Sequence, residues 1–370
     1  MKIALVHDDF MQAGGAESLF ATIASLYPDA PIYTSLVNWQ KVPQTIDPKR
    51  IRTSFMQRIP FAKKFFKALL PLYPLAFESF NFDKFDLVIS STTRFAKSII
   101  TKPETVHVSY INSIPRFLWN KHAQENYLPK VILKTIGPIL KWLKKWDRAS
   151  SSRVDFYIAN SQNIAEKIIK IYQKEAVVVY PFANTNYFTP PKIHNWELKS
   201  QNYYLIVTRL VKWKRVDIAI KAAMDLNVNL FIVGDGPDKQ RLNRLVGASE
   251  NIHFLGKIAK SRLLDLYRNC QALIITQEED FGIAAVEAQS CGRPVIGFRK
   301  GGVFETVIEK QTGIFFDDQN EKSLKDAIGS SSRVKWSEGA IRKNGLRFSR
   351  AVFGKEFTKA IKIACQNPTI

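Results

Sequence analysis

The sequence predicts an α/β protein of two tandem doubly wound domains, each built on a parallel sheet, and three observations lead there. Short apolar runs recur with helix-like stretches between them. A proline-marked break with little periodicity, Pro181 to Asn202, divides these runs into two series. The length, 370 residues, exceeds what one hydrophobic core fills comfortably.

The first series comprises Ile3 to Val6, Pro31 to Leu36, Phe85 to Ser90, Val106 to Ile111, Asp155 to Ala159 and Val177 to Tyr180. The second comprises Tyr203 to Thr208, Asn229 to Val233, Ile252 to Leu255, Ala272 to Thr276, Pro294 to Phe298 and Gly313 to Phe316. Strands that alternate with helical patterns join through crossovers and therefore lie parallel. Among the intervening helices, Arg215 to Leu226 and Gly282 to Ser290 are clear, and the chain from Lys335 onward reads as helical. The expected domains are 1–185 and 186–345, with a closing helix over 346–370 that packs back on the first domain. In such sheets ligands sit beyond the carboxyl ends of the strands, so the residues that follow each strand carry the functional reading.

Composition narrows the classes. Cys270, Cys291 and Cys365 are widely spaced and form no C-x-x-C, which indicates neither a disulfide framework nor a zinc site and fits a reducing cytosol. The first apolar run is cut by His7, Asp8 and Asp9 too early for a signal peptide. No stretch reaches the roughly 18 apolar residues that a spanning helix needs. A soluble or surface-bound protein is expected. The charge is the outlier: 54 Lys and Arg against 33 Asp and Glu leave +21, which suits a phosphate-rich ligand, an anionic membrane or nucleic acid. Nucleic acid is set aside, because the sequence carries no RNA-binding aromatic signature, zinc finger or obvious helix-turn-helix.

After the first strand, Gly14 and Gly15 open a helix, where backbone can approach a ligand closely and free N–H groups face an anion. The G-x-G-x-x-G spacing is absent and the second strand ends without an acidic residue for a ribose, which argues against a dehydrogenase. Arg209 at the end of the second domain's first strand and Lys214 at the start of the next helix suit a diphosphate, Arg as a fork and Lys as a point charge. The most informative stretch runs from Glu278 to Gly297: an acidic turn with Glu279, Phe281-Gly282 at a helix start, Glu287 inside the helix, then Cys291-Gly292-Arg293-Pro294 into a new strand.

As a set these motifs resemble the retaining GT-B glycosyltransferases of family 4. The resemblance rests on Gly14-Gly15-Ala16-Glu17, Arg209 with Lys214, Val233-Gly234-Asp235-Gly236-Pro237, the Glu279 and Glu287 pair with its Phe281-Gly282 turn, and Ile158-Ala159-Asn160-Ser161. Within that family, Phe85 to Ser91 and Pro115 to Trp119 look most like mannosyltransferase-type members of bacterial surface polysaccharide synthesis.

The resemblance implies a GT-B fold, two Rossmann-like domains facing across a cleft. It implies that Arg209 and Lys214 hold the donor diphosphate, that Glu287 accepts hydrogen bonds from the ribose and that Glu279 faces the transferred sugar. The backbone N–H groups around Phe281, Gly282 and Ile283 would meet sugar or phosphate, Gly14 and Gly15 would close over the donor, and Gly234 belongs to the same donor-binding set. It further implies a nucleotide-sugar donor, GDP-mannose as the first choice, a glycan or lipid-linked glycan acceptor, and no cofactor or metal; no D-x-D motif is evident. A nucleotide-sugar epimerase on the same fold is the alternative. One departure stands out: Asn112 occupies a position where relatives carry His, and a neutral amide can hydrogen-bond a sugar without taking up a proton. Nearby His107 sits on a strand and reads as structural.

Two basic stretches remain, Arg58 to Leu75 and Lys130 to Arg148. The first places Phe61, Phe65, Leu69 and Leu72 among cations, and the second repeats Ile132, Ile136, Ile139, Leu143 and Trp146 at helical spacing. Such stripes suit either a membrane interface or a core-facing helix. The expected partner is an anionic membrane, with the protein cytoplasmic and peripheral at its inner face.

Overall fold

The computed structural model describes residues 1–66, 68–120, 135–191 and 202–366. The chain forms two compact units, Met1–Tyr180 with Phe353–Ile370, and Pro181–Val352.

The first unit carries β1 (Ile3–His7), β2 (Ile32–Thr34), β3 (Ile51–Thr53), β4 (Leu87–Thr92), β5 (Val106–Ile111), β6 (Phe156–Ala159) and β7 (Val177–Val178) in one sheet ordered β3-β2-β1-β4-β5-β6-β7. The second carries β8 (Tyr203–Val207), β9 (Asn229–Val233), β10 (Ile252–Gly256), β11 (Leu273–Ile275), β12 (Val295–Phe298) and β13 (Gly313–Phe316), ordered β10-β9-β8-β11-β12-β13. Neighbouring strands pair in parallel, with His7 beside Ser91 at the end of β1 and β4 and Ile275 beside Gly297 at the end of β11 and β12. Helices cover both faces of a parallel sheet, so its strands are apolar runs without alternation. Ala4, Leu5 and Val6 are accordingly all fully buried. In each sheet the order reverses at one point, between β1 and β4 and between β8 and β11. A doubly wound sheet opens a crevice at that switch.

Strand β3 escaped sequence reading because it is three residues at a sheet edge with only Ile51 buried. The Pro181 to Asn202 segment is less of a linker than its composition suggests. Residues 192–201 lie outside the described residues, but Phe188 is buried in the second unit's core, 5.5 Å from the Tyr267 ring, and Ala183 N–H donates to the Phe348 carbonyl at 3.1 Å.

The Arg58 to Leu75 stretch is not one amphipathic helix. It forms a short helix Ala62–Phe65, a 3-10 turn Leu70–Leu72 and a helix Tyr73–Glu78. Pro60, Pro71 and Pro74 interrupt it, since proline lacks the N–H a helix interior needs. Lys67 of that stretch, and Lys130 and Ile132 of the second, lie outside the described residues. The second stretch does contain a helix, Gly137–Ser150, whose Leu143 is buried and whose Leu140 and Trp146 pack on the first unit's core. That helix is anchored by a buried ion pair: Lys97 Nζ meets Asp147 Oδ1 at 2.6 Å, while Trp119 Nε1 and Tyr172 OH donate to Oδ2 at 2.7 and 2.9 Å. Among the described residues no helix is long and apolar enough to cross a membrane.

Candidate active site: two strand-end constellations

In the first unit, β1 runs straight into Asp8 and Asp9, both buried. Asp8 accepts hydrogen bonds from the backbone N–H groups of Thr93, Arg94, Phe95 and Ala96 and from the hydroxyls of Thr92 and Thr93, at 2.6 to 3.0 Å. Burial alone would raise its pKa, but the Arg94 and His7 charges and the donated N–H bonds outweigh it and hold the carboxyl below its ordinary range. Asp9 pairs with Arg94 at 2.6 Å and accepts from the Tyr73 hydroxyl at 3.0 Å. These two carboxylates therefore knit the turn after β4 to the end of β1. Sequence reading treated them only as the end of an apolar run.

Gly14 caps the helix Gly15–Leu26 with φ −151°, an extended conformation open to any residue, so the turn itself does not demand glycine. In the helix's first turn, Glu17 is half-buried and burial raises its pKa. Asn112 follows β5: its Nδ2 donates to Ser91 Oγ at 2.9 Å, and its carbonyl accepts from Asn160 Nδ2 at 2.7 Å. The side chain thus sits half-buried at the β4 and β5 ends, beside the Asp8 cluster but with its amide already engaged. His107 is structural, as read: it is fully buried within β5, bonded to Ser90 Oγ at 2.9 Å and to the Arg153 carbonyl at 3.0 Å, and burial pushes its pKa down to about 4.

In the second unit the sequence-predicted residues gather at the ends of β8, β9, β11 and β12. Arg209 is exposed just past β8, and among the described residues no carboxylate pairs with it. Lys214 is different: it is 8% exposed, its ammonium lies 4.2 Å from the Trp213 ring centroid, and it forms an ion pair with Glu279. The expectation of two cations both open to a ligand needs that correction, because a carboxylate already occupies one of them. Thr276 Oγ1 donates to the Lys214 carbonyl at 2.7 Å, and Gln277 Nε2 donates to Glu279, so the two residues after β11 lock both partners.

Glycines let the loops close on one another. Gly234 has φ +132°, and a Cβ there would fall on the Thr208 carbonyl oxygen; at Gly236 it would fall on that of Leu210. Gly301 and Gly302, after β12, press against the carbonyls of Glu279 and Asp280, and Gly302 N–H donates to the Glu279 carbonyl at 2.8 Å. This second glycine pair was visible in the sequence after an apolar strand and was overlooked. Gly282, at φ +93°, then opens the helix Ile283–Ser290. The first N–H groups of a helix have no intrahelical acceptor, so those near Phe281, Gly282 and Ile283 form an anion-receptive end.

Four residues into that helix, Glu287 is half-buried and accepts from the Tyr267 hydroxyl at 2.9 Å, so a merely solvated helix face is excluded. Burial lifts its pKa to about 7, opposed by the Tyr267 hydrogen bond and the Lys260 charge. Among the described residues no three His, Cys, Asp or Glu side chains are placed to hold a metal ion. In the first unit, a surface cavity lined by Ile100, Lys102, Thr105, Arg153 and Asp155 lies at the amino ends of β5 and β6, away from the strand carboxyl ends that carry Asp8 and Asn112.

Two parallel doubly wound sheets, each with its polar residues at the strand carboxyl ends, define the class: the fold is that of GT-B glycosyltransferases. A structure of sucrose-phosphate synthase from Thermosynechococcus elongatus is similar over 98% of this chain and 99% of its own, with TM-score 0.76 and 16% identity. Anabaena HepE in complex with UDP and glucose is similar over 98% and 99%, with TM-score 0.68 and 20% identity. Residues 191–343, all within the second unit, match the family model of glycosyl transferases group 1. Among curated relatives, the alpha-1,3/1,6-mannosyltransferase ALG2 of Candida glabrata is 25% identical over 281 residues, covering 58% of this chain and 60% of that protein. The chain spans about half the length of the first curated relatives it matches.

Proposed function

We propose that this protein is a retaining glycosyltransferase that moves a hexose from a nucleoside diphosphate sugar to a glycan or lipid-linked glycan, without a metal ion, in the cytoplasm. The observation that carries this reading is the second unit's cluster: exposed Arg209, the Lys214–Glu279 pair and the open helix end at Gly282, with Glu287 further along the same helix.

Breaking the bond between sugar and diphosphate leaves negative charge on the departing phosphate. Fixed cations and helix N–H groups aimed there stabilise that charge more in the transition state than in the bound donor. Arg209 and Lys214 supply the cations. Since Glu279 is the counter-ion of Lys214 before donor arrives, a phosphate that takes over Lys214 releases Glu279 to accept hydrogen bonds from the sugar hydroxyls. Glu287 accepts from the ribose. In the first unit, Asn112 hydrogen-bonds the sugar or the acceptor without acting as a base.

Mannose from GDP-mannose is the first reading for the donor, supported by the mannosyltransferase relative and by the sequence resemblance. UDP-hexose is the rival, supported by the UDP and glucose held in the similar HepE structure. A thermal-shift panel of GDP- and UDP-sugars separates them, because a ligand at 100 times its Kd stabilises by about 2.7 kcal/mol. A GDP-selective shift, followed by nucleotide release only when acceptor is present, supports mannosyl transfer. A UDP-selective shift overturns the choice of donor, and release of an isomerised sugar nucleotide without acceptor overturns transfer in favour of epimerisation.

A further inference from the structure

The helix that supplies Tyr267 to Glu287 carries a second side chain toward the same carboxylate. Lys260 is the first residue of that helix, Lys260–Asn269, which follows β10, so it stands at the carboxyl edge of the sheet. Lys260 and Tyr267 are seven positions apart, two helical turns, and therefore share one helix face with about 10 Å of rise between them. The Lys260 charge reaches Glu287, where it opposes the effect of burial on that carboxyl's pKa.

The ammonium is held in place by rings. It lies 4.4 Å from the Tyr187 ring centroid and 5.7 Å from that of Phe188, whose ring is in turn 5.5 Å from Tyr267. Among the described residues no carboxylate pairs with Lys260 and no oxygen accepts from it, so its three N–H donors are open to a ligand. Just before it in the chain, Leu255 and Ile258 are half-buried against the second unit's core. Between them Gly256, at φ +64°, leaves open space where a side chain would stand. Backbone without a Cβ admits close approach, so a flat ring can lie against this turn.

A nucleoside fits that spacing. With ribose hydroxyls on Glu287, the base projects from the adjacent C1′, and its far edge reaches about as far as the two turns that separate Tyr267 from Lys260. On that edge uracil presents the O4 carbonyl and guanine presents O6 beside N7, whereas cytosine and adenine present an amino group. An ammonium donates and cannot accept, so it bonds a keto oxygen and leaves an amino group without a partner.

We infer that Lys260, held over the Tyr187 ring, selects a donor whose base carries a keto oxygen, guanine or uracil, over one with adenine or cytosine. The inference rests on the proposed nucleoside diphosphate sugar and adds the residue that reads its base. Discrimination by one such contact is about tenfold.

The test is calorimetric titration of GDP, UDP, ADP and CDP into wild type, Lys260→Met and Lys260→Arg. Removing the Lys260 charge also acts on Glu287, but that effect is common to all four ribonucleotides and cancels in the ratio of keto to amino affinities. Wild type should bind the better of GDP and UDP about tenfold more tightly than ADP or CDP. The side chain is exposed, so Lys260→Met should keep the melting temperature while bringing that ratio close to one, and Lys260→Arg should retain most of it. The order of GDP and UDP in wild type tells which keto base the site takes. Diphosphates bound without regard to base, or a keto preference that survives Lys260→Met, overturn this inference alone. Failure of all four to bind overturns the nucleotide-sugar reading and this inference with it.

Discussion

The two units use acidic residues at strand ends in opposite ways. After β1, Asp8 spends both carboxylate oxygens on the turn that follows β4, and Asp9 is closed off by Arg94 and Tyr73. After β11 and in the helix beyond it, Glu279 and Glu287 are held by side chains that a ligand can replace: Glu279 by the Lys214 ammonium and the Gln277 amide, Glu287 by the Tyr267 phenol. Position at a switch point is therefore not enough to assign a binding role. A fully buried carboxylate is structural, whether backbone N–H groups hold it, as they hold Asp8, or side chains do, as at Asp9, whereas a partly exposed one held by an exchangeable side chain is open to a ligand.

This contrast makes its largest prediction for stability. Asp8→Asn keeps shape but turns an acceptor into a donor facing buried N–H groups, so it should cost about 3 to 5 kcal/mol in denaturant unfolding. Glu287→Gln should leave stability near wild type at neutral pH. A mild Asp8→Asn would show that its hydrogen bonds are not what fastens the turn.

The next effect is on donor use and its pH dependence. Burial raises the Glu287 pKa from 4.5 to about 7, so the folded state holds this proton more tightly than the unfolded chain does. Its contribution to stability is consequently greatest at low pH and declines as pH rises from 4.5 through about 7. Ribose hydroxyls prefer the ionised acceptor, so the donor KM should fall as pH rises through about 7 and should lose that dependence in Glu287→Gln. Glu279→Gln should instead lower kcat, because under the proposed function that side chain faces the transferred sugar. Identical pH profiles in wild type and Glu287→Gln would remove Glu287 from the ribose.

The smallest effect is expected at Asn112. Its amide is already bonded to Ser91, so Asn112→Ala should slow transfer by about tenfold or less and leave nucleotide affinity unchanged. Equal losses in both would move Asn112 into the nucleotide site.

Much of this arrangement was legible in the sequence because parallel strands buried on both faces announce themselves as apolar runs, and because the stretch around Glu279 and Glu287 concentrates charge, glycine and helix start in twenty residues. What stayed hidden depends on contacts between distant segments. The Lys214–Glu279 pairing joins residues 65 apart, and nothing local distinguishes Lys214 from the exposed Lys212 beside it. Tyr267, which holds Glu287, comes from the preceding helix. The Arg58 to Leu75 stretch misled because it was grouped with the second stretch as an amphipathic helix although its prolines divide it into short pieces. Glycine pairs misled in both directions: Gly14 is not sterically required, whereas Gly301 and Gly302, where a Cβ would strike backbone, are.

The central claim is that the second unit grips a diphosphate through Arg209 and Lys214, and calorimetric titration of nucleoside diphosphate and monophosphate into wild type, Arg209→Ala and Lys214→Ala tests it most directly. Each charge-assisted contact is worth roughly 1.5 to 3 kcal/mol, so each variant should bind the diphosphate about tenfold to a hundredfold more weakly and lose most of the preference over the monophosphate. Arg209→Ala should keep the wild-type melting temperature, whereas Lys214→Ala should lower it by stranding Glu279. Diphosphate affinity unchanged in both variants, or a wild type that binds monophosphate as tightly as diphosphate, would contradict the account.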